Sequence, residues 1–285
     1  MTRAWRFIRT LWDALYSFNM NDGSAMAGFI AFSGLLSIFP FLIFAATLTG
    51  IMVGSARSAE VIDALFGIAP AHVALTLEPV IVEVLGKQSQ SVLTLSAIFA
   101  VYVASNAVEA FRIAFDRAYA VVDPRSFVHN RLIAILIVFV GAIVAALLGF
   151  MIIFSPLLLL VAESFAGRPI PGFAAYITYG FGILVFVGFV MLMHVMLPGQ
   201  TIGARRLWPG VMVTTALWLM AAGGFTLYLS FVPSYTVTYG TLAGVIITLM
   251  FFYLTGATII YGAEVNAALD RRGAGIETGG GWSSD

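Results

Sequence analysis

Tyr102, Ser105, Glu109, Arg112 and Asp116 recur at three and four residues, with Asn106 beside them, so on a helix they share one face. Glu264 and Asn266 close a second long apolar run, Asn21 and Asp22 open a third, and Arg205 with Arg206 precede a fourth. Carboxylates and guanidiniums gathered in this way can bind an anionic head group, take up a proton, or lock helix ends through ion pairs. Glu109 and Arg112 are spaced for a pair on one helix, and Asp22 is placed to cap the helix that follows it. An ionisable residue at the centre of a membrane helix costs about 2.5 to 3.5 kcal/mol on translocon scales, so each one asks for a function or a partner.

Other chemistries lack their residues. Metal catalysis needs His and carboxylate ligands gathered at one site, and His72, His129 and His194 fall in separate segments. The absence of cysteine removes disulfides, thiolate metal ligation and a cysteine nucleophile. No glycine-rich phosphate loop ending in Lys, no zinc-protease helix motif and no nucleophile elbow is present. We therefore expect no catalytic residue, no metal and no cofactor. The basic residues are scattered without interleaved aromatics, which argues against a nucleic-acid groove. His194, inside an apolar run, reads either as a satisfied helix histidine or as a proton-linked group.

Hydrophobicity sets the elements that must carry these residues. The 285-residue chain is 61% hydrophobic and 10% charged, against about half and about a quarter in an average soluble domain. A membrane-crossing helix needs about 20 apolar residues, and six stretches qualify: 24–53, 91–110, 132–161, 174–197, 209–231 and 241–268. The ten-residue alternation of a membrane β-barrel is absent. The predicted fold is an all-α membrane protein, a bundle of six transmembrane helices.

Short loops rich in Arg and Lys stay cytoplasmic. With the N-terminus inside, Arg3, Arg6, Arg9, Arg112, Arg117, Arg125, Arg131, Arg205, Arg206, Arg271 and Arg272 lie on the cytoplasmic side, and only Arg57, Lys87 and Arg168 outside. Both termini are then cytoplasmic, and the polar positions above sit near the cytoplasmic ends of their helices. Glu264 lies roughly 35 Å along its helix from Thr241, close to where the hydrocarbon ends.

Residues 1–20 form an amphipathic helix, with Trp5, Ile8, Trp12 and Leu15 on one side and Arg6, Arg9, Asp13 and Ser17 on another. It either lies in the cytoplasmic interface or packs beneath the bundle. Residues 21–270 form the six-helix domain, and the Gly/Ser-rich tail 271–285 is expected to be disordered. Helical spacing of Val73, Leu77, Val80 and Val84 predicts short external helices between the first two spans.

Gly141, Ala145 and Gly149 form a small-residue stripe in the third span, and Gly240 with Gly244 another in the sixth, both suited to close helix packing. Pro40 and Pro156 lie inside spans one and three, where each removes a backbone donor and frees a carbonyl one turn earlier. Ser37 and Ser155 are near enough to help re-satisfy that backbone. Kinks at these prolines could shape a cavity. Tyr235 and Tyr239 flank the outer end of the sixth span without any charge nearby.

Several of these segments together resemble one family. "NDGSAMAGFIAFSGLLSIFPFLIF" is similar to the first span of the YihY/BrkB family of bacterial inner-membrane proteins, and "GFTLYLSFVPSYTVTYGTLAGVI" with "YGAEVNAAL" to its last two spans. "AFDRAY" resembles the end of its second span, and "MLPGQTIGARRLWPGV" its connection into the fifth. The resemblance covers residues 21 to 269 and implies six helices with both termini inside, in a bacterial inner membrane. Members have been labelled ribonuclease BN or serum-resistance and virulence factors, and some have been linked to export of lipids or lipopolysaccharide precursors. The missing catalytic constellation sets the ribonuclease label aside. Asp116 stands where the family often shows Asn, His194 where an aromatic is common, and "LWLMAAGG" lacks the charges some members carry in the fifth helix.

The expectation is a transporter or flippase of an anionic amphiphile, a phospholipid or lipopolysaccharide precursor. The alternative is a non-catalytic membrane scaffold for envelope assembly. Asp22, Asn106, Glu109, Arg112, Asp116, Arg205, Arg206, Glu264 and Asn266 would form a cytoplasmic-side polar cluster, and Pro40, Pro156, His194, Tyr235 and Tyr239 would shape a cavity or hinge. Membrane lipids are the expected partners; copies of the chain or envelope proteins are left open.

Overall fold

The computed structural model describes residues 3–53, 90–166, 173–231 and 242–273, which form seven helices and, among these residues, no strand. They are α1 (Arg3–Met20), α2 (Gly23–Val53), α3 (Gln90–Ala118), α4 (Phe127–Ala166), α5 (Phe173–Met196), α6 (Ala204–Phe231) and α7 (Leu242–Gly273). Helices α2 to α7 are each long and apolar enough to cross a membrane. The protein is an all-helical, multi-pass membrane protein. The predicted external helices, the tail from 274, Gly240, Tyr235 and Tyr239 lie outside the described residues.

The helices outrun the apolar windows that reveal them. α3 continues eight residues past Ala110, through a segment where Arg112 and Asp116 pair at i and i+4. α6 begins five residues before Pro209 and absorbs that proline in its second turn.

The chain divides into two compact units. The first contains residues 1–23, 112–219 and 258–285. In it, α4 packs along α5, and the first part of α6 meets the last part of α7 through Gly210 and Gly262. A methyl on Gly210 would overlap the Gly262 carbonyl and the Asn266 amide, and one on Gly262 would overlap the Thr214 hydroxyl and lie 2.7 Å from the Gly210 carbonyl oxygen. Here the two backbones are in contact.

α1 docks on α7 through its polar side. Ala14 is fully buried against Val265 and Ala268, with Leu11 and Leu269 around them. Arg272 pairs with Asp13 and donates to Thr10 Oγ1 at 2.8 Å, while Tyr261 donates to the Leu11 carbonyl at 2.9 Å. The apolar side, with Trp5, Ile8 and Trp12, is left exposed.

The second unit contains residues 24–111 and 220–257. There α2 packs on α7, with Gly34 against the Phe252 ring and Gly256 against Ala27 and Ile30. The Ser24 and Tyr253 hydroxyls bond at 2.7 Å. Pro40 is buried inside α2, which runs through it without interruption.

Three local expectations change. Asp22 does not cap α2: its φ of 57° lies in the left-handed region rather than the extended one a cap uses, and its carboxylate pairs with Arg117 instead. Ser37 donates to the Gly34 carbonyl, not to the Leu36 carbonyl that Pro40 leaves free. The stripe in the third span is not a close helix contact: Gly141 meets the Phe189 ring, but Ala145 is exposed and Gly149 faces open space.

Candidate functional site

The densest polar constellation of the first unit is built around Asp123, in the loop between α3 and α4. Arg112, near the end of α3, donates to Asp116 Oδ2 and Asp123 Oδ2, both at 2.8 Å. Arg125 closes on Asp123 from its backbone N–H and from Nε, both at 2.9 Å, and Asn130 of α4 adds a bond at 2.9 Å. The same Arg125 donates to the carbonyls of Met196 and Leu197, and Gly199 N donates to Asp116 Oδ1 at 2.7 Å. A methyl on Gly199 would sit 2.8 Å from the Asp123 Cα, so glycine alone lets the two loops touch. Burial opposes charge on Asp123, but the Arg125 and Asn130 hydrogen bonds outweigh it and hold the carboxyl below the ordinary carboxylate range.

The loop carries one strained residue. Ala120 has φ 52° and is exposed, a conformation that costs a Cβ-bearing residue roughly 1 to 2 kcal/mol. Ala120→Gly should raise stability by about 0.5 to 1 kcal/mol, read as a higher melting temperature of the solubilised protein.

The second constellation surrounds Glu264, two and a half turns before the end of α7. Its side chain is fully buried. Oε1 accepts from Asn21 Nδ2 at 2.7 Å, while Oε2 has no protein partner. No guanidinium among the described residues reaches it within ion-pair distance. Arg117 pairs instead with Asp22 at 3.0 Å, and Arg271 donates to the Ala118 carbonyl and to Ser17 Oγ. Two further buried atoms nearby lack partners, the Tyr119 hydroxyl and Arg271 Nε. Burial raises the Tyr119 phenol above its ordinary value; the nearby Asn266 side chain opposes this, and the Asp270 and Glu264 carboxylates add to it. Unpaired buried polar atoms in a cluster are where an internal water or a transferable proton resides.

Asn266 is committed to the backbone of α6. It takes the bond from Gly210 N at 2.7 Å and gives one to the Leu207 carbonyl at 3.0 Å, on either side of Pro209. Arg206 pairs with Asp270 in an exposed position, and Arg205 is exposed. His194 is fully buried, its Nδ1 2.8 Å from the Val190 carbonyl and its ring 4.7 Å from Phe115; Nε2 is unpartnered. Asn106 and Glu109, both half-buried, belong to the second unit. Pro156 falls within α4, but its side chain is outside the described residues.

The charges thus divide by their bonds. Arg112 and Asp116 join Asp123 and Arg125, whereas Asp22 and Glu264 join Asn21 and Arg117. Asp123, Asn130, Gly199 and Tyr119 were not singled out by the sequence. The Asp-Pro-Arg turn of "VVDPRS" could have given the first, because an Asp before Pro folds its carboxylate back on the amide two residues on.

Comparisons with known proteins bear on this arrangement. The profile of the family described as Virulence factor BrkB matches residues 14–283. A protein named Putative ribonuclease-like protein YfkH, from Bacillus subtilis (strain 168), is 31% identical over 90% of this chain and 93% of its own. A UPF0761 membrane protein of Chromohalobacter salexigens is 25% identical over 95% of this chain and 66% of its own, and one of Pseudoalteromonas translucida is 34% identical over 37% and 35%. No solved structure matches. A match across nearly the whole chain, to membrane proteins, places this six-span protein in the Virulence factor BrkB family.

Proposed function

We propose that the protein is a transporter or flippase of an anionic amphiphile, a phospholipid or lipopolysaccharide precursor, in a bacterial inner membrane. The observation that carries this reading is Glu264. It is fully buried near the end of a spanning helix, held by one neutral amide, with Arg271 acting on it only from beyond ion-pair distance and one oxygen left without a partner. Asp22, Asp116, Asp123 and Asp270 each meet an arginine. A carboxylate serving only to lock helices would gain from such a partner, whereas one that takes up a proton or meets passing cargo must be without it. Arginine placement supports cytoplasmic termini, and the outward apolar side of α1 supports its lying in the cytoplasmic interface. Membrane lipids are the partners on this reading; nothing in it calls for catalysis, a cofactor or nucleic acid.

A second reading, a non-catalytic scaffold for envelope assembly, draws on the Asp123 constellation, which fastens two loops and leaves no acceptor oxygen of that carboxylate idle. Proteoliposomes decide between them. With fluorescent phospholipids and lipid A precursors, wild type should accelerate translocation over empty vesicles. Glu264→Gln should abolish the gain and leave the melting temperature within about 2 °C. Translocation at the empty-vesicle rate across those lipids, with folded wild-type protein, sinks the transport reading.

A further inference from the structure

A cavity of about 370 Å³ opens between α4, α5 and α6 of the first unit, within the roughly 300 to 1,000 Å³ of ligand pockets. Its walls are almost wholly apolar. At one end Phe186 and Trp218 stack at 4.5 Å; Leu148 and Gly182 line the middle; Thr178 stands at the other end. Tyr179 and Leu219 at its rim are exposed, so the cavity opens on the surface of spanning helices.

Two observations say what fills it. The first is depth. α5 has 24 residues and is about 36 Å long, roughly 6 Å longer than the hydrocarbon core. Thr178, five residues from its start, therefore lies within about one turn of the hydrocarbon boundary, and Phe186 lies about 12 Å deeper along the same helix. The second is the Thr178 hydroxyl, which is buried in this apolar wall without a hydrogen-bond partner. A buried hydroxyl is a donor that needs an acceptor, and at that depth bilayer lipids present ester carbonyls above their chains.

We infer that this cavity binds one acyl chain of an ester-linked glycerolipid, with the chain against Phe186 and Trp218 and its ester carbonyl accepting from Thr178 Oγ1. Binding needs no translocation, so the site stands apart from the transport reading. Gly182 offers the means to close it: a Cβ there would meet only Leu148, at 3.8 Å, leaving room for a larger side chain to grow into the cavity.

The test uses full-length protein with Trp218 as its sole tryptophan, Trp5, Trp12, Trp208 and Trp282 being replaced by Phe. Vesicles of ether-linked phosphatidylcholine carry a minor fraction of ester-linked phosphatidylcholine brominated at mid-chain. Trp218 quenching should exceed that expected from the mole fraction at least threefold. Gly182→Leu should return it to the mole-fraction level, and Thr178→Val should cut the excess by half or more, both without loss of the thermal transition. Quenching that follows the mole fraction in wild type, or an excess that survives Gly182→Leu, overturns the site. An excess lost in Gly182→Leu but kept in Thr178→Val overturns the ester contact. Should Gly182→Leu fail to fold, the wild-type excess and Thr178→Val decide alone. Absent translocation with the excess intact refutes transport and leaves this site standing.

Discussion

Gly262→Ala is expected to destabilise the protein by about 3 kcal/mol or more, at the upper end of overpacking costs. The added methyl overlaps the Thr214 hydroxyl, which could rotate, but it also lies 2.7 Å from the Gly210 carbonyl oxygen, which belongs to backbone. Relief requires α6 and α7 to separate, and separation breaks three further contacts. These are the Thr214 bond to the Thr258 carbonyl at 3.3 Å and the two bonds that Asn266 makes to Gly210 and Leu207. Gly210→Ala meets the same obstacle from the other side and should cost as much. Gly149→Ala and Gly223→Ala, where a methyl meets nothing within 4 Å, should change stability by less than about 0.5 kcal/mol. Thermal unfolding in detergent, followed by loss of the monodisperse peak on size exclusion, separates the two pairs. Equal melting temperatures for Gly262→Ala and Gly149→Ala would mean that the α6–α7 backbone contact does not exist.

The six spans were legible because a lipid solvent demands unbroken apolar runs of helix length, a signal that does not depend on which helix packs on which. Contacts between helices follow other rules. The stripe at Gly141, Ala145 and Gly149 has the spacing for close packing, yet the contact falls at Gly210 and Gly262. In retrospect those residues carry the same spacing, Gly210 with Thr214 and Thr258 with Gly262, one pair on each helix. A small-residue pattern on one helix says only that an approach is sterically allowed. What selects among candidates is the partner's surface, and here both helices are small at the same level.

The candidate site shows the same division. Asp22, Arg112, Asp116 and Glu264 stood out because a charge beside an apolar run is visible in one dimension. Their partners were not: Asn21 reaches Glu264 across 243 positions, and Gly199 reaches Asp116 across 83. Asn266 looked like part of a polar floor, whereas its amide is bonded to the α6 backbone at Leu207 and Gly210, on either side of Pro209. A side-chain amide offers both an acceptor and a donor, and here the one meets the Gly210 N–H and the other the Leu207 carbonyl.

Asp123→Ala should cost about 3 kcal/mol, the low end for breaking a buried ion pair by removing one partner. The Asp123 side chain is 7% exposed, while Arg112 and Arg125 are 15% and 18% exposed, so deletion takes a carboxylate from two guanidiniums that water reaches poorly. Arg112 keeps Asp116, which limits the damage on its side; Arg125 keeps only carbonyl partners at Met196 and Leu197. A double-mutant cycle with Arg125→Met should therefore show a coupling above about 1 kcal/mol, because the second change removes the guanidinium that lost its carboxylate. The pH dependence has a fixed sign. The Asp123 pKa is lower in the folded protein than the unfolded value of about 3.9, so its stabilisation is complete above that value and is lost only as pH falls through the lower, folded one. The stability gap between wild type and Asp123→Asn should stay constant from pH 8 to 5 and shrink only below about pH 4. A gap that closes between pH 7 and 6 would mean that the loops are not held by this carboxylate. Two loops fastened at that strength are a poor place for motion, so on the proposed transport reading movement must be sought at Glu264, which no arginine among the described residues reaches within ion-pair distance.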